Sequence, residues 1–113
     1  MLKKGKTEKN VVFTTAPSLE EAEKIARAAV GEKLAACASI LSGVKSVYSW
    51  KGEICEDAEH MIILKSSSAL LPALEKKIKE LHPYELPEFI SLPVDSGSEE
   101  YLKWIEDSLA AQG

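Results

Sequence analysis

The sequence predicts an α+β fold in which helices cover one face of an antiparallel sheet. Two observations lead to this prediction. Runs of β-branched and aromatic residues alternate with segments whose apolar residues fall at helical spacing, in the order β-α-β-β-α-β-α. The two strands in the middle of this order are also unusually long, since one apolar arm rises to Trp50 and a second returns from Glu53. With 113 residues, the chain is long enough for one domain with a core.

The first helix follows directly on the first strand. Residues 11–15 are β-branched and aromatic, which is typical of a buried strand. Ser18 and Glu21 then have the spacing of a capping box, in which each side chain accepts a hydrogen bond from the other residue's backbone amide. The apolar residues that follow share one helical face: Leu19, Ala22, Ile25, Ala26, Ala29 and Val30. We therefore expect a helix over residues 19–32.

Two long strands are predicted next, over residues 37–50 and 53–67, with a turn at Gly52 and a bulge or bend at Gly43. Each arm is about 14 residues long, whereas strands usually have about 5–6. Such an arm reaches about 45 Å, and a helix of about 14 residues covers only about 21 Å. The hairpin therefore extends beyond any cover that this chain can provide. A long apolar edge invites aggregation unless another chain covers it, which predicts an oligomer.

The second half of the chain contains two further helices with a strand between them. Steps of three and four residues between apolar side chains predict the first of these helices: Leu71, Leu74, Ile78 and Leu81. It ends near His82, because Pro83 disfavours helical geometry in the residue before it. Pro87 and Pro93 bracket the strand, which is expected over residues 88–92. The last helix places three apolar residues on one face: Leu102, Ile105 and Leu109.

Right-handed crossovers in this order give a sheet of the ferredoxin-like kind, with both main helices on one face. The other face stays bare, although Ile63 points to it while Ile62 points to the core. A neighbouring subunit is the simplest cover, and cyclic symmetry closes such an assembly. We therefore expect one domain over residues 11–113 and a flexible, solvated tail over residues 1–10.

Composition and charge argue against several classes of partner. The formal net charge is −4 and Arg27 is the only arginine, so the chain has no arginine cluster for nucleic acid. No apolar run is long enough to span a membrane. Cys37 and Cys55 have neither a zinc-binding spacing nor the number needed for a disulfide framework. Reduced thiols in a cytoplasmic protein are expected.

The residues that carry chemistry do not form a recognisable catalytic set. A nucleophilic cysteine needs a positioned base, and neither His60 nor His82 is recognisable as one, so the chain is not expected to be an enzyme. The acidic residues around His60 are typical of a solvated face. His82 is the candidate metal ligand, but copper or zinc favours two or three imidazoles or thiolates in one place. Only neighbouring chains could supply the others.

Four residues are candidates for a ligand cleft: Cys37, Trp50, Lys65 and Tyr84. Lys65 ends an apolar strand, where a cation needs water, a carboxylate or an anionic ligand. Trp50 and Tyr84 are expected to be packing groups before ligand contacts, and they belong to the residue types that are favoured at subunit interfaces.

Four motifs in this order resemble the CutA family of divalent-cation tolerance proteins: EKLAAC (32–37), YSWKG (48–52), HPYExPE (82–88) and YLxW (101–104). The likeness runs over residues 11–109, nearly the whole chain. It implies a ferredoxin-like homotrimer in which each long hairpin packs into its neighbour, as in the PII signalling proteins. It also implies tolerance of copper and other divalent cations, without an established reaction.

The resemblance implies a metal site that this chain keeps only in part. Some members bind copper through a cysteine in the first strand and a paired histidine before Pro-Tyr. Thr14 and Leu81 stand at those two positions here, which leaves only His82. We therefore expect a cytoplasmic homotrimer that binds copper or another divalent metal ion weakly. The alternative is a PII-like signalling trimer that binds a small anion in clefts between subunits.

Overall fold

The computed structural model describes residues 2–3 and 7–110. It confirms an α+β fold with a four-stranded antiparallel sheet and three helices. The elements are β1 (Leu2–Lys3), β2 (Lys9–Ala16), α1 (Leu19–Gly31), β3 (Cys37–Trp50), β4 (Glu53–Ser67), a 3₁₀ turn (Ser68–Leu70), α2 (Leu71–Leu81), β5 (Ile90–Pro93), β6 (Gly97–Ser98) and α3 (Glu99–Ala110). Among the described residues, no helix is long and apolar enough to cross a membrane.

The main sheet has the strand order β3-β4-β2-β5, and each neighbouring pair is antiparallel. β5 begins two residues later than the predicted strand and lies at the edge of the sheet. Proline is tolerated in an edge strand, because the backbone N–H that Pro93 lacks is not needed for pairing on the open side. The predicted hairpin of β3 and β4 is observed at its full length, with the predicted bounds of both strands. Its turn places Lys51 at φ +50° and Gly52 at φ +82°, as a two-residue turn between antiparallel strands requires.

The N-terminal residues take more part in the fold than the sequence predicted. β2 begins at Lys9, and Lys9 and Asn10 pair with Ser67 and Ser66 of β4. Residues 2–3 also pair with residues 97–98, in a small second sheet that the sequence did not predict. The prediction of a flexible tail over residues 1–10 is therefore corrected for residues 2–3 and 9–10, because these residues are paired with other strands. Its residues 1 and 4–6 lie outside the described residues.

Helices α1 and α2 pack on one face of the sheet, where the main core lies. Ser18 caps α1 as predicted, since its Oγ accepts a hydrogen bond from the Glu21 amide at 3.1 Å. The core contains residues from both helices and from the two central strands: Val12, Ala16, Ala22, Ile25, Ala29, Ile62, Leu64, Leu74 and Ile78. Burial of these apolar side chains is the main stabilising term of the fold.

Helix α3 covers one end of the opposite face of the sheet. There Tyr101 of α3 lies against Cys37 of β3, and Lys9 pairs with Glu106 at 3.5 Å. Elsewhere on this face, cross-strand pairing aligns Ser39, Ile63, Phe13 and Ile90 in one row. Leu41, Ile90 and Leu92 are 47%, 54% and 52% exposed. The sheet therefore keeps an exposed apolar surface on this side, and we call it the open face.

A β-bulge interrupts the hairpin ladder between Leu41 and Val44. Gly43 lies in it at φ +79°, a conformation that favours glycine. This confirms the predicted irregularity at Gly43. Beyond the bulge, the even-numbered residues of β3 continue the face that carries Glu59 and Asp57 of β4, because Val44 pairs with Glu59 and Ser46 pairs with Asp57. The bulge therefore decides which side chains meet near the tip of the hairpin.

Candidate functional site

A groove of about 840 Å³ lies between the hairpin and the segment that follows α2. Its volume is within the range of small-molecule sites in proteins. Three of the lining side chains are aromatic: Tyr48, Trp50 and Tyr84. Four others are carboxylates: Asp57, Glu59, Glu85 and Glu88. None of the lining residues is lysine or arginine, and we call this site the acidic groove.

Strand alternation and hydrogen bonds position the side chains of the groove. Tyr48 lies on the same face as Asp57 and donates its phenolic hydrogen to that carboxylate. Tyr84 donates its own to Glu59 Oε2 at 3.2 Å. Glu59 is only 7% exposed, although the sequence analysis assigned it to a solvated face. The fold buries it because the segment after α2 lies over the hairpin at this point.

The pKa shifts in the groove agree with its negative charge. The hydrogen bond to Asp57 raises the pKa of Tyr48 to about 12. Burial, followed by the charge of Glu59, raises the pKa of Tyr84 to about 12. Burial and the charge of Glu59 also raise the pKa of Glu88 above its ordinary value. Each shift favours the protonated form of an acid, as burial, a hydrogen bond to a carboxylate and a neighbouring negative charge all do.

His82 lies at the C-terminal end of α2 and is 8% exposed. Its Nδ1 accepts the Tyr84 backbone N–H at 3.1 Å, so Nδ1 carries no proton. Its Nε2 therefore carries the proton and donates it to the Thr15 carbonyl at 2.6 Å. In this arrangement both ring nitrogens form hydrogen bonds with backbone groups, one in strand β2 and one in the segment after α2. A metal at Nδ1 would have to replace the bond to Tyr84, and a ligand role for His82 stays a prediction.

The other two positions of the copper motif offer no ligand nitrogen or sulfur. Thr14 is fully buried, and its hydroxyl has no hydrogen-bond partner among the described residues. Leu81 packs against the main core. Across residues 2–3 and 7–110, no group of three or more His, Cys, Asp or Glu side chains is arranged to hold a metal ion. The described residues of one chain therefore do not fit a tight metal site.

Within one chain, the four predicted cleft residues separate into two pairs. Trp50 and Tyr84 line the acidic groove, whereas Cys37 and Lys65 do not. Cys37 and Trp50 are the first and last residues of β3, so the pairs lie at opposite ends of that strand. An extended strand of this length keeps its ends far apart, so one chain does not bring the two pairs together, and a cleft between subunits that contains all four residues stays a prediction.

At the far end of β3, Cys37 is flanked by two side chains that have hydrogen-bonding groups. Lys65 Nζ lies 3.7 Å from Cys37 Sγ, and Tyr101 Oη lies 3.6 Å from the same atom. No histidine takes part in these contacts, so they do not form the Cys–His pair that the sequence analysis considered for a cysteine nucleophile. The contact between Tyr101 and Cys37 was not predicted from the sequence, although Tyr101 belongs to the YLxW motif. The contact depends on how α3 crosses the sheet.

Comparisons with known proteins give one consistent result. The profile of the family described as CutA1 divalent ion tolerance protein matches residues 10–108. The divalent-cation tolerance protein CutA of Thermus thermophilus is 44% identical over 98 residues, which cover 87% of this chain and 95% of that protein. The chloroplastic protein CutA of Arabidopsis thaliana is 42% identical over 98 residues, 87% of this chain. This chain matches only 54% of the plant protein.

A solved structure supports the same relationship at the level of the fold. The structure of the periplasmic divalent cation tolerance protein CutA from Archaeoglobus fulgidus has a TM-score of 0.87 and 37% sequence identity. The match covers 89% of this chain and 98% of the archaeal one. The plant and archaeal relatives are described as belonging to different compartments, so similarity to them does not fix a location in the cell.

Proposed function

This chain belongs to the CutA1 family of divalent ion tolerance proteins, and we propose that it acts as a non-catalytic homotrimer that binds copper or other divalent metal ions weakly. The observation that supports this function is the family match over residues 10–108. The family is named for tolerance of divalent ions and not for a reaction.

The open face supports the assembly that we propose. Leu41, Ile90 and Leu92 leave a contiguous sheet surface about half exposed, and a lone soluble chain rarely keeps such a surface. The described residues extend over 46 × 29 × 23 Å, since the hairpin projects beyond the helices. Two edge strands, β3 and β5, are available for pairing with another chain. The strand order is compatible with the ferredoxin-like class, and three copies related by cyclic symmetry would cover these surfaces.

The surroundings of His82 support weak rather than tight metal binding in this proposal. Copper(II) and zinc bind the unprotonated imidazole nitrogen, which is Nδ1 here. That atom already accepts the Tyr84 amide, so binding there must displace a hydrogen bond. Further ligands have to come from neighbouring subunits, because one chain does not offer them among its described residues.

Isothermal titration calorimetry with CuCl2 and ZnCl2 tests the metal-binding part of this proposal. We expect weak heats for the native protein, loss of those heats for His82→Ala, and no loss for the matched control His60→Ala. Absence of heat above the buffer blank for the native protein would contradict metal binding. Equal titration curves for His82→Ala and the native protein would remove His82 as the ligand. Circular dichroism of each variant separates loss of the site from loss of the fold.

A cytoplasmic location is the remaining part of the proposal. Cys37 and Cys55 are both free thiols, as expected in a reducing compartment. Fractionation of cells that express the full protein tests it. Recovery in a membrane-enclosed or extracellular fraction would contradict it.

The anion-binding alternative now has one specific residue in its favour. Lys65 lies at the Cys37 end of the open face, and it forms no ion pair with a described carboxylate. The acidic groove itself is unsuited to an anion. A thermal-shift screen with nucleotides and other anionic metabolites, repeated on Lys65→Met, discriminates between the two proposals. Stabilisation by an anion that Lys65→Met loses would favour the alternative, and flat results would count against it.

A further inference from the structure

We infer that neighbouring subunits are joined by a charge contact, in which the ammonium group of Lys65 of one subunit enters the acidic groove of the next and meets Asp57 and Glu59. The groove is then part of a subunit interface and not an open cavity. This inference rests on the proposed homotrimer, and it names the contact that directs the assembly. It does not involve the proposed metal ligand His82.

Lys65 and the two carboxylates lie on the same side of the sheet. Alternate residues of β4 point to one side, so Lys65, Glu59 and Asp57 all lie on the side of the open face. Ile62 and Leu64 point to the other side, into the main core. At about 3.3 Å per residue, Lys65 lies about 20 Å along the strand from Glu59, so the two side chains of one chain do not meet. The cation and the carboxylates therefore occupy opposite ends of one surface.

The first argument is the ammonium group of Lys65, which a subunit packed on the open face would bury. It forms no ion pair with a described residue, and its contact is with the Cys37 thiol, a weak acceptor, at 3.7 Å. Lys9 of the same face differs, because it pairs with Glu106 at 3.5 Å. A buried cation without a carboxylate is costly. A neighbour that packs here therefore has to supply a carboxylate.

The second argument is the opposite charge of the acidic groove. None of its four carboxylates forms an ion pair with a described residue. Asp57 accepts a hydrogen bond from Tyr48, and Glu59 accepts one from Tyr84, but both donors are neutral phenols. These bonds satisfy the oxygens and leave the negative charge uncompensated. A subunit that packs against the hairpin would bury this charge further unless it brings a cation.

The third argument is the arrangement of the two ends on one face. A contact between unlike patches is heterologous, and such contacts close into a ring under cyclic symmetry. Like ends repel each other, so the charges also fix which end of the neighbour each end meets. The same contact would cover the apolar row between the ends, which includes Phe13, Ile63 and Ile90. A carboxylate of the neighbouring subunit then takes the place of the small anion that the alternative proposal assigns to Lys65.

Cross-linking of the full-length native protein with a water-soluble carbodiimide tests this contact, because the reagent joins only amines and carboxylates that already touch. We expect covalent multimers on a denaturing gel, with Lys65 linked to Asp57 or Glu59 in the peptide masses. Such a link has to join two chains, since about 20 Å separates Lys65 from Glu59 within one chain. Lys79 and Glu75, which lie 3.2 Å apart on α2, should be linked within each chain and serve as the internal reference.

Two sets of variants sharpen the test. Lys65→Met should lose the link between chains, and the matched control Lys79→Met should keep it, because Lys79 lies on α2 and pairs within its own chain. Lys65→Glu should weaken the trimer by at least about tenfold in sedimentation equilibrium, since like charges then meet. Adding Asp57→Lys to Lys65→Glu should restore part of that affinity. A merely structural role of Lys65 would not give this recovery.

The outcomes separate this inference from the proposed function. A native protein that sediments as a trimer, but links Lys65 to no carboxylate of the groove, would overturn the inference and leave the homotrimer in place. An unchanged trimer affinity in Lys65→Glu, or no recovery in the double variant, would overturn it in the same way. A native protein that sediments as a monomer would overturn both the contact and the homotrimer. His82→Ala should keep the link between chains, which separates this test from the test of metal binding.

Discussion

The imidazole of His82 donates a hydrogen bond from Nε2 to the backbone oxygen of Thr15, with the two atoms 2.6 Å apart. The other ring nitrogen accepts the Tyr84 amide, so one buried side chain joins the end of α2, strand β2 and the segment that lines the acidic groove. This histidine thus terminates a helix and positions Tyr84 at the same time.

Replacement of His82 by alanine should destabilise the fold by about 1–3 kcal/mol, because the Thr15 carbonyl and the Tyr84 amide both lose a partner. The free energy of unfolding from urea titration measures this effect. His60→Ala is the matched control, since within residues 7–110 the one hydrogen bond of its ring is to the Ser42 hydroxyl, at an exposed site. It should change the free energy by no more than about 0.5 kcal/mol. Equal effects of the two substitutions would contradict the structural role of His82.

Alanine at Gly43 and at Gly31 should change stability in opposite directions. An added Cβ meets no atom within 4 Å at either position, so only the backbone conformation decides the outcome. Gly43 has φ +79°, and alanine there should cost about 1–2 kcal/mol. Gly31 is the last residue of α1, where alanine should add up to about 1 kcal/mol. Urea denaturation of both variants measures the difference. Changes of the same sign in the free energy of unfolding would contradict a left-handed backbone conformation at Gly43.

Ile90→Glu should dissociate the proposed trimer. Ile90 is 54% exposed on the open face, and a carboxylate there would be buried without a partner in the assembly. Sedimentation equilibrium should give three times the chain mass of 12.3 kDa for the native protein and a lower mass for the variant. Leu19→Glu is the control, because Leu19 is similarly exposed at the start of α1 and away from the open face. A native protein that sediments as a monomer would contradict the assembly.

The folded protein should lose stability between about pH 10 and about pH 12. The pKa values of Tyr48 and Tyr84 are both raised to about 12, from an ordinary value of about 10. The folded state therefore holds these protons more tightly than the unfolded state. Its extra stability is complete below about pH 10 and disappears as the pH rises through about 12. Absorbance at 295 nm follows the phenolates, and Tyr84→Phe should remove one of the late-titrating groups. Titration of every tyrosine near pH 10 would refute these shifts.

Much of the architecture was predictable because it depends on local patterns. Helical spacing and the Ser18 cap located α1, and the apolar stripe with Pro83 located α2 and its end at Leu81. The pair β1 and β6 was not predicted, because two-residue strands have no periodicity. The candidate site was predicted less well. Trp50 and Tyr84 do line one groove, but the burial of Glu59 depends on a segment that lies over it from elsewhere in the chain.

The sequence by itself determined the order of the main elements, the length of the hairpin and the family, since each depends on residues that are neighbours along the chain or on motifs. Only the tertiary structure decided that Cys37 lies beside Lys65 and Tyr101, and that both nitrogens of His82 are engaged by backbone groups. It also decided that four carboxylates meet three aromatic rings in one groove. The physical reason is that such contacts join residues far apart in sequence, and they are fixed by how helices and connecting segments pack across the sheet.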